Sequence, residues 1–238
     1  MNSCEHCSRN NHGELCIDKI PIFNNLTPEE KEKVMDASTH KRYDKGEIIF
    51  TSGDYFDNLF IVNKGIVKIS KISAMGKEQI LQILEPGGFM GELSLFSKTI
   101  LNSTAEALEQ TEICLIRGTK IRDLILEKPE ISLKFLQKYT ERVEEAENLI
   151  EQIGLRDVEQ RIANFLLLEI KKKETSNNKV KEYEITLPVS KRDLALLIGT
   201  TQETLSRKLS IFQDNGLIKL KGQRRIIVTD RDSLEEMR

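Results

Sequence analysis

Residues 187–216, LPVSKRDLALLIGTTQETLSRKLSIFQDNG, constrain the fold more than any other stretch of the chain. They read as two short amphipathic helices broken by one glycine. Ser190 followed by Asp193 is an N-terminal capping signal, and Leu194, Leu197 and Ile198 form the buried stripe of the first helix. Gly199 permits a sharp turn, and Thr200 or Thr201 caps the helix that follows. There Leu205, Leu209 and Phe212 fall inward at helical spacing, which leaves Gln202, Glu203, Ser206, Arg207 and Ser210 outward. A row of hydrogen-bonding side chains at a helix N-terminus suits base edges in a major groove, so the segment reads as a helix-turn-helix.

A solvated helical hairpin would share that pattern, and the residues beyond it argue against one. Gly216 ends the helix, after which LIKLKG and QRRIIVTD alternate around Gly222-Gln223 as a two-stranded wing. Between Leu187 and Arg225 stand eight basic residues against three acidic ones, while the whole chain carries −2. A basic module on a mildly acidic protein is the electrostatic footprint of DNA binding.

At 238 residues the chain is long enough for two domains. No run of about 18 apolar residues occurs, which predicts no membrane span. MNSCEHCSRNNHGELC lacks the apolar core of a signal peptide, so a cytoplasmic location is expected, where structural disulfides are rare. No nucleophile–base pair, carboxylate pair or phosphate loop emerges, which argues against an enzyme.

From Ile20 to Ile116, short apolar runs such as NLFIVNKG, QILQILEPGG and TEICLI alternate with glycines, which suggests an antiparallel sandwich or roll. Before them, LTPEEKEKVMDAS is a helix with Thr27 at its cap and Pro28 at its first position. Residues 129–153 predict a long helix in which Leu136, Tyr139, Val143, Ala146, Ile150 and Ile153 step alternately by three and four, a dimer seam. Taking Leu136 as an a position, Arg142 and Glu147 would meet across a parallel pair. NFLLLEI is apolar nearly all round, as expected of a helix buried between domains. The stretch 171–183, KKKETSNNKVKEY, reads as a polar loop. The expected class is α+β: a cysteine-rich segment (1–18), a β-roll (19–118), a dimerisation helix (119–154) and a winged helix-turn-helix domain (155–238).

Roll, long helix and winged helix-turn-helix in that order resemble the CRP/FNR family of bacterial transcription regulators. KGEIIFTSGD, GGFMGELSLF, VEQRIANFLL and Ser190 to Gly216 carry the resemblance. It implies a homodimer on a palindromic operator in double-stranded DNA, with RNA polymerase as a further partner. Glu203-Thr204-Leu205-Ser206-Arg207 matches the E-x-x-S-R pattern of the FNR-type branch, which implies reading of a TTGAT-like inverted repeat. Arg207 can donate bidentately to guanine and Glu203 can accept from a cytosine amine. Ser206 permits close approach, and Thr201, Lys208 and the wing are expected on phosphates, with Gln202 on the same face.

Within the family a Gly-Glu-Leu loop contacts the ribose of a cyclic nucleotide, and a later Arg-Ser pair holds its phosphate. Gly91-Glu92-Leu93 is present, but the later position reads Asn102-Ser103-Thr104, which argues against cyclic AMP. Glu92 is expected to tie its loop instead.

Cys4, Cys7 and Cys16 crowd the N-terminus, and Cys114 stands alone in TEICLI. The set resembles the N-terminal trio plus strand cysteine that hold an oxygen-labile 4Fe–4S cluster in FNR-type regulators, with a wider Cys7–Cys16 gap. Cys4, Cys7, His12 and Cys16 also approach the spacing of a zinc site, and a dithiol–disulfide switch needs no cofactor. A plain tail with Cys114 as a core residue is the fourth reading. His6 and His40 are isolated. The FNR-type branch can carry an acidic residue in its dimer seam; the matching place here is Ala146, which predicts a dimer with or without cofactor.

Overall fold

The computed structural model describes residue 17 and residues 20–24, 26–36, 38–97, 100–173 and 182–237. The chain divides into two compact units, Met1–Val143 and Glu144–Arg238.

The first unit is a roll of two four-stranded antiparallel sheets, as the glycine-punctuated runs predict. One sheet has the order β1(Ser38–Tyr43), β8(Thr111–Arg117), β3(Asn58–Lys64), β6(Phe89–Met90). The other runs β2(Ile48–Phe50), β7(Thr104–Ala107), β4(Val67–Ile72), β5(Glu78–Leu84). Side chains alternate across a strand, and both faces of the first sheet are covered. Ile113 of β8 packs inside the roll with Phe50, Phe60, Val67 and Met90, with Leu115 against them. Cys114 and Ile116 face the other way, into a cluster with Ile17, Ile20, Phe23, Ile121, Ile131 and Phe135. This two-sided burial explains why β3 reads as an unbroken apolar run, Leu59 to Val62.

Helices close that outer face. In α1 (Pro28–Asp36) the Thr27 amide donates to Glu30 at 2.8 Å and the Glu30 amide donates to Thr27 Oγ1 at 3.4 Å, a reciprocal cap. α2 (Glu92–Phe96) follows Gly91, whose φ of +86° and 2.6 Å approach of an added Cβ to the Asn58 carbonyl admit only glycine. The long helix expected over 129–153 is α4 (Glu130–Leu155), and a separate helix, α3 (Gly118–Glu127), precedes it within the 119–154 segment. Pro129 separates them, because proline disfavours a helical residue before it and opens the next helix well.

The second unit takes in the end of α4 and continues through α5 (Val158–Lys173), β9 (Tyr183–Thr186), α6 (Lys191–Leu197), α7 (Gln202–Asp214), β10 (Ile218–Lys221), β11 (Arg225–Val228) and α8 (Arg231–Glu236). Two expectations change here. Tyr183, placed at the end of a polar loop, starts a strand, so the wing sheet has three strands in the order β10-β11-β9. Its pairing explains why so polar a segment extends: Val228 lies opposite Tyr183 and Ile226 opposite Ile185, which buries Ile185 fully. α5, expected between domains, is a core helix of the second unit itself. Ile162, Leu166 and Ile170 are buried, and the helix packs on α7, α8 and β9.

Candidate functional site

The helix-turn-helix is built by local chemistry. Ser190 caps α6 by accepting from the Asp193 amide at 3.1 Å, and Thr201 caps α7 by accepting from the Thr204 amide at 3.2 Å. Gly199 makes the turn with φ +71°. Leu205, Leu209 and Phe212 are buried, and Gln202, Glu203 and Arg207 are exposed with Ser206 partly so. Arg207 makes no ion pair among the described residues, so its guanidinium is available to a base edge.

Two charged residues of α5 hold the motif from behind. Arg161 donates from Nη1 to the carbonyls of Ile198, at 2.7 Å, and Gly199, at 3.0 Å, satisfying acceptors at the C-cap of α6 and in the turn that follows. Glu159 accepts from Nζ of Lys208. Lys208, expected on phosphate, therefore flanks the buried stripe of α7, three residues after Leu205 and four before Phe212. On the wing, Lys219 pairs with Glu182 at 2.8 Å and Arg225 with Glu184 at 3.6 Å, both well exposed and so screened by water. No feature of a single sequence separates Glu159 and Arg161 from the ordinary solvated charges of a helix start.

In the first unit Cys114 is 1% exposed on the outer face of β8. His40, isolated in the sequence, lies directly opposite it on β1, and Ile61 on β3. Cys4, Cys7 and Cys16 lie outside the described residues. Ile17, which follows Cys16 in the sequence, shares the core cluster of Cys114. No group of three or more metal-ligating side chains occurs among the described residues.

Glu92 opens α2 and is 6% exposed. Arg142 of α4 donates to its carboxylate and to the Phe89 carbonyl, and lies over the Phe89 ring with its guanidinium carbon 4.7 Å from the centroid. Burial pushes the Glu92 carboxyl up and the charge of Arg142 opposes it. Among the described residues, the second carboxylate oxygen and Arg142 Nε are buried without a hydrogen bond. Tyr139 is pushed up to about 12, by burial and then by the negative charge of Glu92. Glu92 thus ties its loop, as expected, but to the long helix. Arg142, expected to meet Glu147 of a second copy, is turned into its own unit because Glu92 and the Phe89 ring offer it a nearer, drier site.

Along α4 the expected seam residues divide. Leu136, Val143 and Ile150 are 61%, 51% and 72% exposed, and Ala146 is exposed as well. Tyr139 is half-buried, between that stripe and the inward face of Ile131, Phe135 and Arg142. The Ile153 side chain lies outside the described residues. Phe135, missed in the sequence, meets Phe89 and Phe96 edge-on at 5.8 and 5.5 Å. Among the described residues no helix is long and apolar enough to cross a membrane.

Comparison with known proteins gives two domain matches, a cyclic nucleotide-binding domain over residues 40–128 and a Crp-like helix-turn-helix domain over 160–237. A CRP-like cAMP-activated global transcriptional regulator of Mycobacterium tuberculosis is 27% identical over 218 residues, 92% of this chain and 96% of that protein. An anaerobic regulatory protein of Haemophilus influenzae is 26% identical over 233 residues, 98% of this chain and 87% of that one. FixK2 from Bradyrhizobium japonicum has the same fold, with a TM-score of 0.71 at 24% identity over 84% of this chain and 96% of the other.

Proposed function

From a chain that belongs to the CRP/FNR type of DNA-binding transcription regulators, we propose a homodimer that reads an inverted repeat through α7 and responds to oxidation at its N-terminal cysteines. The observation that carries the DNA half is the exposed row of Glu203, Ser206 and Arg207 on a capped helix whose opposite face is fully packed. Arg207 and Glu203 then select a G·C step in a TTGAT-like half-site, and dimer symmetry repeats it about one or two helical turns away. RNA polymerase is the further partner of the bound dimer.

For the sensing half, Cys4, Cys7, Cys16 and Cys114 are the four ligands. Support comes from Ile17 and Cys114 sharing one core, and from a match to the anaerobic regulator that extends over 98% of the chain. A 4Fe–4S cluster held there supplies an oxidation-labile centre. The consequence of ligation falls on this chain's own residues. Cys114 shares its cluster with Ile131 and Phe135 of α4, so a change of packing at β8 reaches the dimer helix directly. Cyclic AMP is not the signal. The Glu92 carboxylate is already engaged by Arg142, and Asn102-Ser103 supplies no cation for a buried phosphate.

Protein purified without oxygen tests this reading, with iron, acid-labile sulfide and operator binding measured before and after air. The expected wild-type result is a brown, iron- and sulfide-loaded protein whose operator affinity changes on oxidation. Cys114→Ala is expected to lose loading. Full loading of Cys114→Ala overturns the four-cysteine set, and a colourless zinc protein replaces it with a C-x2-C-x4-H-x3-C site.

A further inference from the structure

Lys208 directly follows the base-reading Arg207, yet the two side chains leave α7 about 100° apart, as successive residues of a helix must. Arg207 lies opposite the Leu205–Leu209–Phe212 stripe, whereas Lys208 lies beside it and meets Glu159 in the first turn of α5. The pair is partly shielded, with side-chain exposures of 27% for Lys208 and 32% for Glu159. The wing pairs Lys219–Glu182 and Arg225–Glu184 have every side chain at least half exposed, so water and phosphate displace those carboxylates easily.

We propose that Glu159 is a specificity-determining residue of the DNA-binding module, holding the Lys208 ammonium on the core side of α7 and so withholding one phosphate contact per protomer. This rests on α7 being the recognition helix. A lysine on a long flexible stem next to a groove-reading residue binds any duplex alike, since a phosphate contact carries no sequence information. Each such contact strengthens random-sequence binding and steepens its salt dependence by about 0.9 in log–log slope. Specificity is a ratio of affinities, so a cation neutralised internally raises that ratio without a new base contact. Glu159 also keeps the lysine partnered, which lets a charged residue flank the α7 core.

The test measures full-length protein on a specific operator and on a random duplex between about 50 and 200 mM salt. Glu159→Gln is expected to steepen the random-duplex slope by about 0.9 for each protomer seated on DNA. That corresponds to roughly 3.5-fold more loss of affinity per protomer across the range, with tighter random binding at low salt. Its ratio of specific to random affinity falls. Lys208→Gln alone keeps the wild-type slope, and Glu159→Gln with Lys208→Gln returns to it. An unchanged slope in Glu159→Gln, or a flatter one in Lys208→Gln, overturns the proposal. Lys208→Gln gives that answer even if Glu159→Gln does not fold. Arg207→Ala on single-base operator variants is the independent control. If it leaves base preference intact, the assignment of α7 as the reader fails, whatever the salt slopes show.

Discussion

At the scale of single residues, the Glu92–Arg142 pair carries a large electrostatic consequence. Both charges sit in a dry corner, with side-chain exposures of 8% and 17%. Breaking a buried pair from one side strands the other charge, so Arg142→Ala is expected to destabilise the protein by about 3–5 kcal/mol in denaturant unfolding. The double variant Glu92→Gln, Arg142→Met should recover much of that loss, because no buried charge remains. The pH dependence has a definite sign. Burial raises the Glu92 carboxyl above its unfolded value, so its contribution to stability is fully present below about pH 4 and is lost as pH rises through the folded value. Removing Arg142 removes the opposing charge and raises Glu92 further. The deficit of Arg142→Ala should therefore be largest at neutral pH and shrink toward pH 4, and a deficit that stays constant with pH would rule out a stranded carboxylate.

At the scale of elements, α4 meets two demands with one sequence. Ile131, Phe135 and Arg142 face the roll, while Leu136, Val143 and Ile150 form a stripe exposed to water. A globular helix needs one apolar face; a second one left in water is what a seam between copies requires. Leu136→Glu should accordingly convert a dimer to monomers at micromolar concentration, read by sedimentation. It should barely change the melting of the fold, since Leu136 is already 61% exposed. A Leu136→Glu protein that sediments unchanged as a dimer would place the seam elsewhere. The wing is the other element that gained by folding, with β9 completing a sheet that the sequence shows as a hairpin.

At the scale of the whole molecule, the proposed sensing requires no change of association. Ala146 on the exposed stripe carries no charge to repel its twin, so aerobic, cluster-free protein should remain a dimer at micromolar concentration by light scattering. Under the proposed oxidation response the signal shifts a pre-existing equilibrium between dimer states, and a clean monomer in that measurement would restore association as the switch. The sequence by itself determined the order of parts: glycine-spaced runs for the roll, a 3/4 apolar step for α4, and two caps around Gly199 for the helix-turn-helix. Those are local signals, written in backbone preference and in periodicity. Only the tertiary structure decided that Arg142 belongs to Glu92, that His40 stands beside Cys114, that Lys208 is held by Glu159, and that Tyr183 opens a strand. Each joins residues distant in the chain, His40 and Cys114 by 74 positions, through charge or strand pairing. Charge and hydrogen bonding have no period along a chain, and their partners exist only once the backbone has folded.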